Sequence, residues 1–276
     1  MRARRATPYL LLMPGVLVIL AFVAALTITG VLSFHDQQGA LTLKQYQRVV
    51  SDSYYLEYFW RSLRIAFYCT PTTLLLGYPF AYVMARSSSG VRLALTLVLV
   101  VQFFTGDVVR VYALILVFGN NGVINRFLLD FGLIDAPIRL LFREAGVAIG
   151  LILIPLPLMI FPIYSVLKNI ESNLEVAATS LGASPIRTFF HITLPLSLPG
   201  VLAGVVLVFL FDLTAYVIPG MLGGGYFKMI ANAIQEQALA ILDTPFAAAM
   251  AMLLLAITLV ILYLVHLVGS RLRGAT

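Results

Sequence analysis

Residues 171–195 read ESNLEVAATSLGASPIRTFFHITLP, a polar segment with a regular apolar spacing. Four small or apolar residues recur at positions i, i+3, i+4 and i+7, which places them on one face of a helix: Leu174, Ala177, Ala178 and Leu181. Long apolar runs flank the segment on both sides. The pattern therefore predicts a short amphipathic helix between two membrane spans.

The ends of this helix carry their own signals. Ser172 or Asn173 can accept hydrogen bonds from the backbone N–H groups that lack partners at a helix start. Gly182 can end the helix by taking a positive φ angle. Pro185 then starts a new direction, and we expect a bend and a second short helix before the next apolar run.

Outward from this segment, the chain consists of apolar runs that are long enough to cross a membrane. A span needs about 20 mostly apolar residues. Six runs meet this length: residues 9–34, 63–85, 93–118, 145–167, 196–218 and 247–268. The composition agrees, because 61% of the residues are hydrophobic and 11% are charged. The sequence predicts an all-α membrane protein with six transmembrane helices and helix-like pieces at 125–131 and 230–242.

The placement of basic residues indicates the orientation. Both termini are basic, and the connections assigned to the inside are rich in Lys and Arg for their length. The first apolar run is longer than the ~7–15 residues of a signal peptide, so we expect it to be retained. We therefore predict that both termini, and residues 168–195, lie on the cytoplasmic side. The net charge of +6 fits contact with anionic lipid and does not call for nucleic acid.

The sequence lacks the residues that several kinds of chemistry require. Cys69 is the only cysteine, and the three histidines lie far apart, so disulfides, redox chemistry and a metal centre are not predicted. The triplet Gly223–Gly225 lacks the lysine of a phosphate-binding loop. We expect no cofactor on this chain and no ATP hydrolysis by it.

The segment resembles the EAA loop of ABC importer permeases. Ala177-Ala178, Gly182, Ile192 and Leu194-Pro195 match that motif in order and spacing. The resemblance implies a type I importer permease fold, in which this loop is a coupling helix that docks on a cytoplasmic ATPase. It assigns ATPase coupling to eight residues: Glu175, Ala177, Ala178, Leu181, Gly182, Ile192, Leu194 and Pro195.

One position departs from the motif. Val176 stands where the family has a glutamate, and Glu175 lies one residue earlier. One residue corresponds to about 100° around a helix. The acidic contact to the ATPase is therefore either lost or made from a shifted angle.

Further stretches narrow the resemblance. Gly77-Tyr-Pro-Phe-Ala-Tyr82, Arg110-Val-Tyr-Ala-Leu114 and Tyr216-Val-Ile-Pro-Gly220 are similar to the first permease of spermidine/putrescine-type importers, and the similarity covers about residues 55–265. It implies a second permease of different sequence, two ATPase copies, a periplasmic or lipid-anchored binding protein, and the bacterial inner membrane. Residues 1–276 then form one permease domain, with an accessory part at 1–60 and core spans at 61–270.

Charged side chains at span depth are candidates for the substrate path, because they are costly in a membrane. Asp107 and Arg110 are spaced to pair on one helix face, or to line a path where the third span breaks near Thr105-Gly106. Asp212 lies three residues before Ala215, where polyamine-type permeases often carry a glutamate. Tyr112 and Tyr216 complete the candidate set.

Two other functions and one other substrate class remain open from sequence. A self-contained secondary transporter would need two repeats meeting at a central site, and the chain has no convincing repeat. A membrane enzyme would need a nucleophile–base or paired-carboxylate arrangement. An importer permease for another small solute is the remaining alternative.

Overall fold

The backbone of residues 3–273 is described in a computed structural model, together with side chains outside 3–11, 172, 173, 176, 266 and 268–273. Within this range, strand pairing is limited to one isolated bridge between His35 and Leu41. The predicted all-α class is confirmed. The helices in the described range are α1 (Ala3–Leu32), α2 (Lys44–Ser51), α3 (Ser53–Arg86), α4 (Ser89–Phe104), α5 (Asp107–Phe118), α6 (Val123–Asp130), α7 (Glu144–Leu153), α8 (Leu156–Asn169), α9 (Ser172–Ser180), α10 (Pro185–Thr188), α11 (Leu194–Thr214), α12 (Val217–Leu222), α13 (Ile230–Gln235) and α14 (Thr244–Arg273).

Helices with the length and hydropathy of membrane spans account for most of the predicted runs. Five described stretches qualify: Leu12–Leu32, Asp107–Asp130, Glu144–Asn169, Pro185–Thr214 and Thr244–Val265. The predicted second span lies in α3, whose 34 residues exceed the required length although its threonines, tyrosines and prolines lower its hydropathy. The predicted pieces at 125–131 and 230–242 correspond to α6, and to α13 with the π-helical turn that follows it.

The chain forms two compact units. The first comprises residues 1–57 and 233–257. In it, Arg48 pairs with Asp243 at 2.8 Å, and its guanidinium lies 4.0 Å from the ring centre of Phe246. Tyr55 packs edge-on against the same ring at 4.8 Å. These contacts join α2, the start of α3 and the start of α14. The predicted subdivision into 1–60 and 61–270 remains a prediction.

The second unit comprises residues 58–232 and 258–276. Its helices α8 and α11 pack closely because two glycines of α11 face the backbone of α8. A β-carbon on Gly200 would lie 2.7 Å from the carbonyl oxygen of Pro162, and one on Gly204 would lie 2.8 Å from the sulfur of Met159. The two glycines are four residues apart, the small-xxx-small spacing that lets membrane helices approach.

Three predicted spans of this unit are broken. The third divides into α4 and α5 at Thr105-Gly106, as predicted, because both residues have extended backbone angles. The fourth divides into α7 and α8 at Ile154-Pro155. The fifth ends at Thr214, and Ala215-Tyr216 separate it from α12. These three breaks position the polar groups of the candidate path.

Candidate coupling surface and translocation path

The amphipathic helix of the predicted cytoplasmic loop is α9, and it ends as the sequence predicts. Gly182 has a φ of +86°. Its N–H donates to the carbonyl of Thr179 at 3.0 Å, and the N–H of Ala183 donates to that of Ala178 at 3.0 Å. This pair of bonds is a Schellman motif, which satisfies two of the last carbonyls of the helix.

The start of α9 differs from the prediction. Glu171 occupies the N-cap position, and its side chain makes no capping hydrogen bond. The helix already includes Ser172 and Asn173, whose side chains lie outside the described residues. The same holds for the side chain of Val176, so the effect of losing the family's glutamate there stays a prediction.

Three of the four residues of the apolar face of α9 are exposed, and the fourth, Ala178, is half-buried. Leu181 is 88% exposed and Leu174 is 44% exposed, and Ala177 is exposed between them. Ile186 and Phe190 add exposed apolar surface just beyond the helix. An apolar patch that its own chain leaves uncovered is typical of an interaction site.

The segment after Gly182 corrects one expectation. The predicted bend is present as a turn at residues 181–184, but the second short helix is not separate from the fifth span, because residues Pro185–Thr214 form one continuous helical stretch. The side chain of Ser184 caps its start by accepting from the N–H of Arg187 at 3.3 Å. Phe189–Thr193 form a wider π-helical turn. This turn lets the chain pass Pro195, which has no N–H, without ending the helix.

Ile192, Leu194 and Pro195 therefore lie in or just after the π-helical turn, at the start of α11. All three are half-buried. They form the base of the fifth span, while the exposed surface belongs to α9 and α10.

Glu175 faces its own chain. Its carboxylate forms an ion pair with Arg86, the last residue of α3. It also accepts a hydrogen bond from the hydroxyl of Thr193 at 2.8 Å. The position assigned to ATPase coupling by resemblance thus makes contacts within the subunit.

The break in the third span carries an ion pair. Asp107 is the first residue of α5, and Arg110 binds it one turn later, as the i, i+3 spacing predicts. Arg110 also donates to the carbonyl of Ile154 at 3.1 Å. This carbonyl is available because the N–H of Leu158 bonds to Pro155 instead. Arg110 therefore joins the break in the third span to the break in the fourth.

Two more side chains bind carbonyls at the fourth-span break. Pro157 has no N–H to offer the carbonyl of Leu153, and the amide of Gln102 donates to that carbonyl at 2.9 Å. The hydroxyl of Thr73 shares its proton between the carbonyl of Cys69 at 3.0 Å and the carbonyl of Ile152 at 3.3 Å. Side chains of α3 and α4 thereby donate to backbone carbonyls that have no water to bind inside a membrane.

The third break lies beside Asp107. A cavity of about 120 Å³ is lined by Asp107, Phe211, Thr214, Ala215, Tyr216, Val217 and Ile218. Tyr216 is half-exposed, and the amide of Asn232 donates to its carbonyl at 2.8 Å. Tyr112 is exposed and does not line this cavity.

Asp212 lies apart from that cavity. It is fully buried in α11, and one carboxylate oxygen accepts from the hydroxyl of Thr70 at 3.4 Å. The other oxygen has no hydrogen-bond partner among the described residues. The structure thus pairs Asp107 with Arg110 and places Asp107 and Tyr216 at one cavity, whose lining does not include Asp212 or Tyr112.

Several polar residues of these sites were missed from sequence. Gln102, Thr73 and Asn232 each bind a backbone carbonyl on another helix or loop. Proline pairs such as Pro155 and Pro157 signal that carbonyls need partners, but the sequence does not identify the partners.

Known proteins resemble this chain along most of its length. Residues 55–274 match the family model of the binding-protein-dependent transport system inner membrane component. The spermidine/putrescine transport system permease protein PotB of Escherichia coli (strain K12) is 38% identical over 264 residues, covering 94% of this chain and 95% of PotB. The PotB protein of Haemophilus influenzae is 34% identical over 209 residues, covering 76% of this chain and 73% of that protein.

Solved transporters share the fold. A chain of the bacterial ABC transporter that imports the acidic polysaccharide alginate matches with a TM-score of 0.75 and 18% identity, covering 98% of this chain and 96% of that one. A chain of the MetNI methionine transporter matches with a TM-score of 0.55 and 15% identity, covering 80% and 95%. These likenesses show the fold, while the family match and the PotB relatives show that this chain belongs to the inner membrane components of binding-protein-dependent transport systems, as a permease subunit and not an enzyme.

Proposed function

We propose that this chain and a second permease of different sequence form the path of an importer for a small amine-type, polyamine-like substrate. A periplasmic or lipid-anchored binding protein delivers the substrate, and two copies of a cytoplasmic ATPase bind and hydrolyse ATP. The observation that carries the transport role is the exposed apolar face of α9, on a chain of the importer family. Relatives at 38% identity that are named for spermidine and putrescine support the substrate class.

The coupling surface suits a groove on the ATPase. Leu174, Ala177 and Leu181 form an exposed face, and helices with such faces bind apolar grooves through residues at this spacing. Movement of α9 reaches the path through the helical stretch Pro185–Thr214, whose 30 residues extend for about 45 Å. That stretch ends beside Tyr216 and the cavity.

The cavity at the helix breaks suits an ammonium group. Asp107 offers a half-exposed carboxylate, while its partner Arg110 is more deeply buried. The half-exposed ring of Tyr216 lines the same cavity. A carboxylate beside an aromatic ring binds cations by ion pairing and by cation–π attraction.

The substrate assignment is tested with the complete importer in vesicles. We expect ATP-driven uptake of labelled putrescine or spermidine, and we expect Asp107→Asn to lower kcat/KM by about tenfold or more, because a hydrogen bond to a charged group contributes about 1.5–3 kcal/mol. Asp135→Asn, at an exposed position in a connection, serves as the control. Uptake that is unchanged in Asp107→Asn would exclude this residue as the amine site.

Tyr216 supplies a matched pair of variants. Tyr216→Phe keeps the ring and should retain most of the uptake, whereas Tyr216→Leu removes the ring and should raise KM. Equal effects of the two variants would argue against cation–π binding.

Asp212 is a second candidate acid of the path. Its burial means that the substrate reaches it only in another conformation of the transporter. Asp212→Asn keeps the shape of the side chain, so we expect the importer to assemble with lower uptake. Unchanged uptake kinetics would remove Asp212 from the path.

A further inference from the structure

Glu175 joins α9 to two membrane helices at once. Its carboxylate binds Arg86 at the end of α3 and the hydroxyl of Thr193 at the start of the fifth span. The side chains of Arg86 and Glu175 are 28% and 22% exposed, and Thr193 is buried. An ion pair at this depth is screened less by salt than a surface pair.

Both partners of Glu175 are held in place by their surroundings. Arg86 lies at the C-terminal end of a helix, where the backbone dipole favours a cation. Thr193 belongs to the π-helical turn, whose Phe189 packs edge-on against Tyr78 at 5.7 Å and Tyr82 at 6.0 Å. The carboxylate of Glu175 therefore binds a cation at the end of a helix and a buried hydroxyl.

A second contact fixes the base of the fifth span to α3. The hydroxyls of Tyr78 and Ser197 lie 2.9 Å apart, and both residues are buried. This bond and the aromatic contacts of Phe189 connect the end of α3 to the start of the fifth span. The ion pair of Glu175 attaches α9 to the end of α3.

We propose that Glu175 is a positioning residue, an internal pin that fastens α9 to α3 and to the base of α11. This inference rests on the proposed docking of α9 to the ATPase. When the ATPase moves α9 through its exposed face, the bonds of Glu175 to Arg86 and Thr193 transmit that movement to both spans. The ATPase is recognised through the apolar face, and the acid acts within the permease.

A charge exchange tests the pin in the complete complex of both permeases and the ATPase. The variants are Glu175→Arg, Arg86→Glu and the two together. One measurement is amide hydrogen exchange of residues 174–182. The other is the increase in ATP hydrolysis caused by the liganded binding protein.

We expect each single variant to speed exchange in α9 and to reduce the stimulation by about fivefold or more. The double variant should return both to within about twofold of wild type. ATPase subunits should remain bound in the single variants, because the apolar face is unaltered. Asp135→Arg, at an exposed position in a connection outside α9, is the control that makes the same change of charge.

The opposite pattern would contradict the proposed role of Glu175. If Arg86→Glu leaves both measurements unchanged, or if the double variant is as impaired as Glu175→Arg, then Glu175 acts on the ATPase directly. Failure of the proposed function looks different, since wild-type complex would then lose its ATPase or show no stimulation. Hydrogen exchange would still test the pin in that case.

Discussion

Gly182 shows how a single backbone angle shapes the proposed docking surface. Its φ of +86° ends α9 and turns the chain toward Pro185, which leaves Leu181 exposed beside the turn. A β-carbon at this position would meet no atom within 4 Å. Any effect of a substitution therefore arises from backbone strain or from the new side chain's chemistry, and crowding does not contribute.

We predict that Gly182→Asp uncouples ATP hydrolysis from transport. The substitution adds a charge beside the apolar face and replaces the residue that adopts this φ most easily. Gly182→Asn is the matched control, because asparagine has the same shape and tolerates the left-handed region without the charge. The measurement is binding-protein-stimulated ATP hydrolysis, with ATPase association as a check. Normal stimulation and normal association in Gly182→Asp would contradict the coupling role.

At the scale of elements, the divided spans explain where polar side chains are needed. Pro155 and Pro157 end α7, and the carbonyls of Ile152, Leu153 and Ile154 accept from side chains of three other helices. Each of these hydrogen bonds gives a carbonyl a donor in place of the missing backbone N–H, since no water is present inside a membrane to donate instead. The broken helix is thus tied to its neighbours by the groups that the break exposes.

We predict that Gln102→Leu destabilises the permease through the unpaired carbonyl of Leu153, at a cost of about 1–3 kcal/mol. The loss should appear as a lower thermal unfolding temperature of the purified complex. Pro157→Ala restores a backbone N–H for the same carbonyl, so Gln102→Leu should cost less in that background. Equal losses in both backgrounds would mean that this hydrogen bond is not the cause.

At the scale of the whole molecule, the proposed coupling surface and the proposed path belong to the same compact unit. That unit holds α9, the stretch Pro185–Thr214 and the three helix breaks. The stretch connects an exposed apolar face at one end with the Asp107 cavity at the other. In the proposed importer, this unit provides docking and path, while other subunits supply energy and capture substrate.

We predict that this chain transports only as part of an assembly. Affinity purification from mild detergent should recover an ATPase and a second permease. Vesicles that contain the purified chain alone should take up neither putrescine nor spermidine, with or without an ion gradient. Uptake by the chain alone would favour a self-contained secondary transporter instead.

The sequence by itself determined the features that depend on near neighbours along the chain. Apolar runs of span length predict membrane residence, because burial in lipid depends on composition over about 20 residues. The Asp107–Arg110 pair and the turn at Gly182 are equally local, since both lie within one helical turn or one cap. These predictions are confirmed.

Only the tertiary structure decided which distant groups meet. Glu175 binds Arg86, which lies 89 residues away in sequence, and Gln102 binds the carbonyl of Leu153, which lies 51 residues away. Helical spacing indicates which face a residue occupies but not which helix packs against that face. The spacing of Glu175 left open whether its acid meets the ATPase, and the packing of α3 and the start of α11 offers its carboxylate a cation and a hydroxyl within the chain.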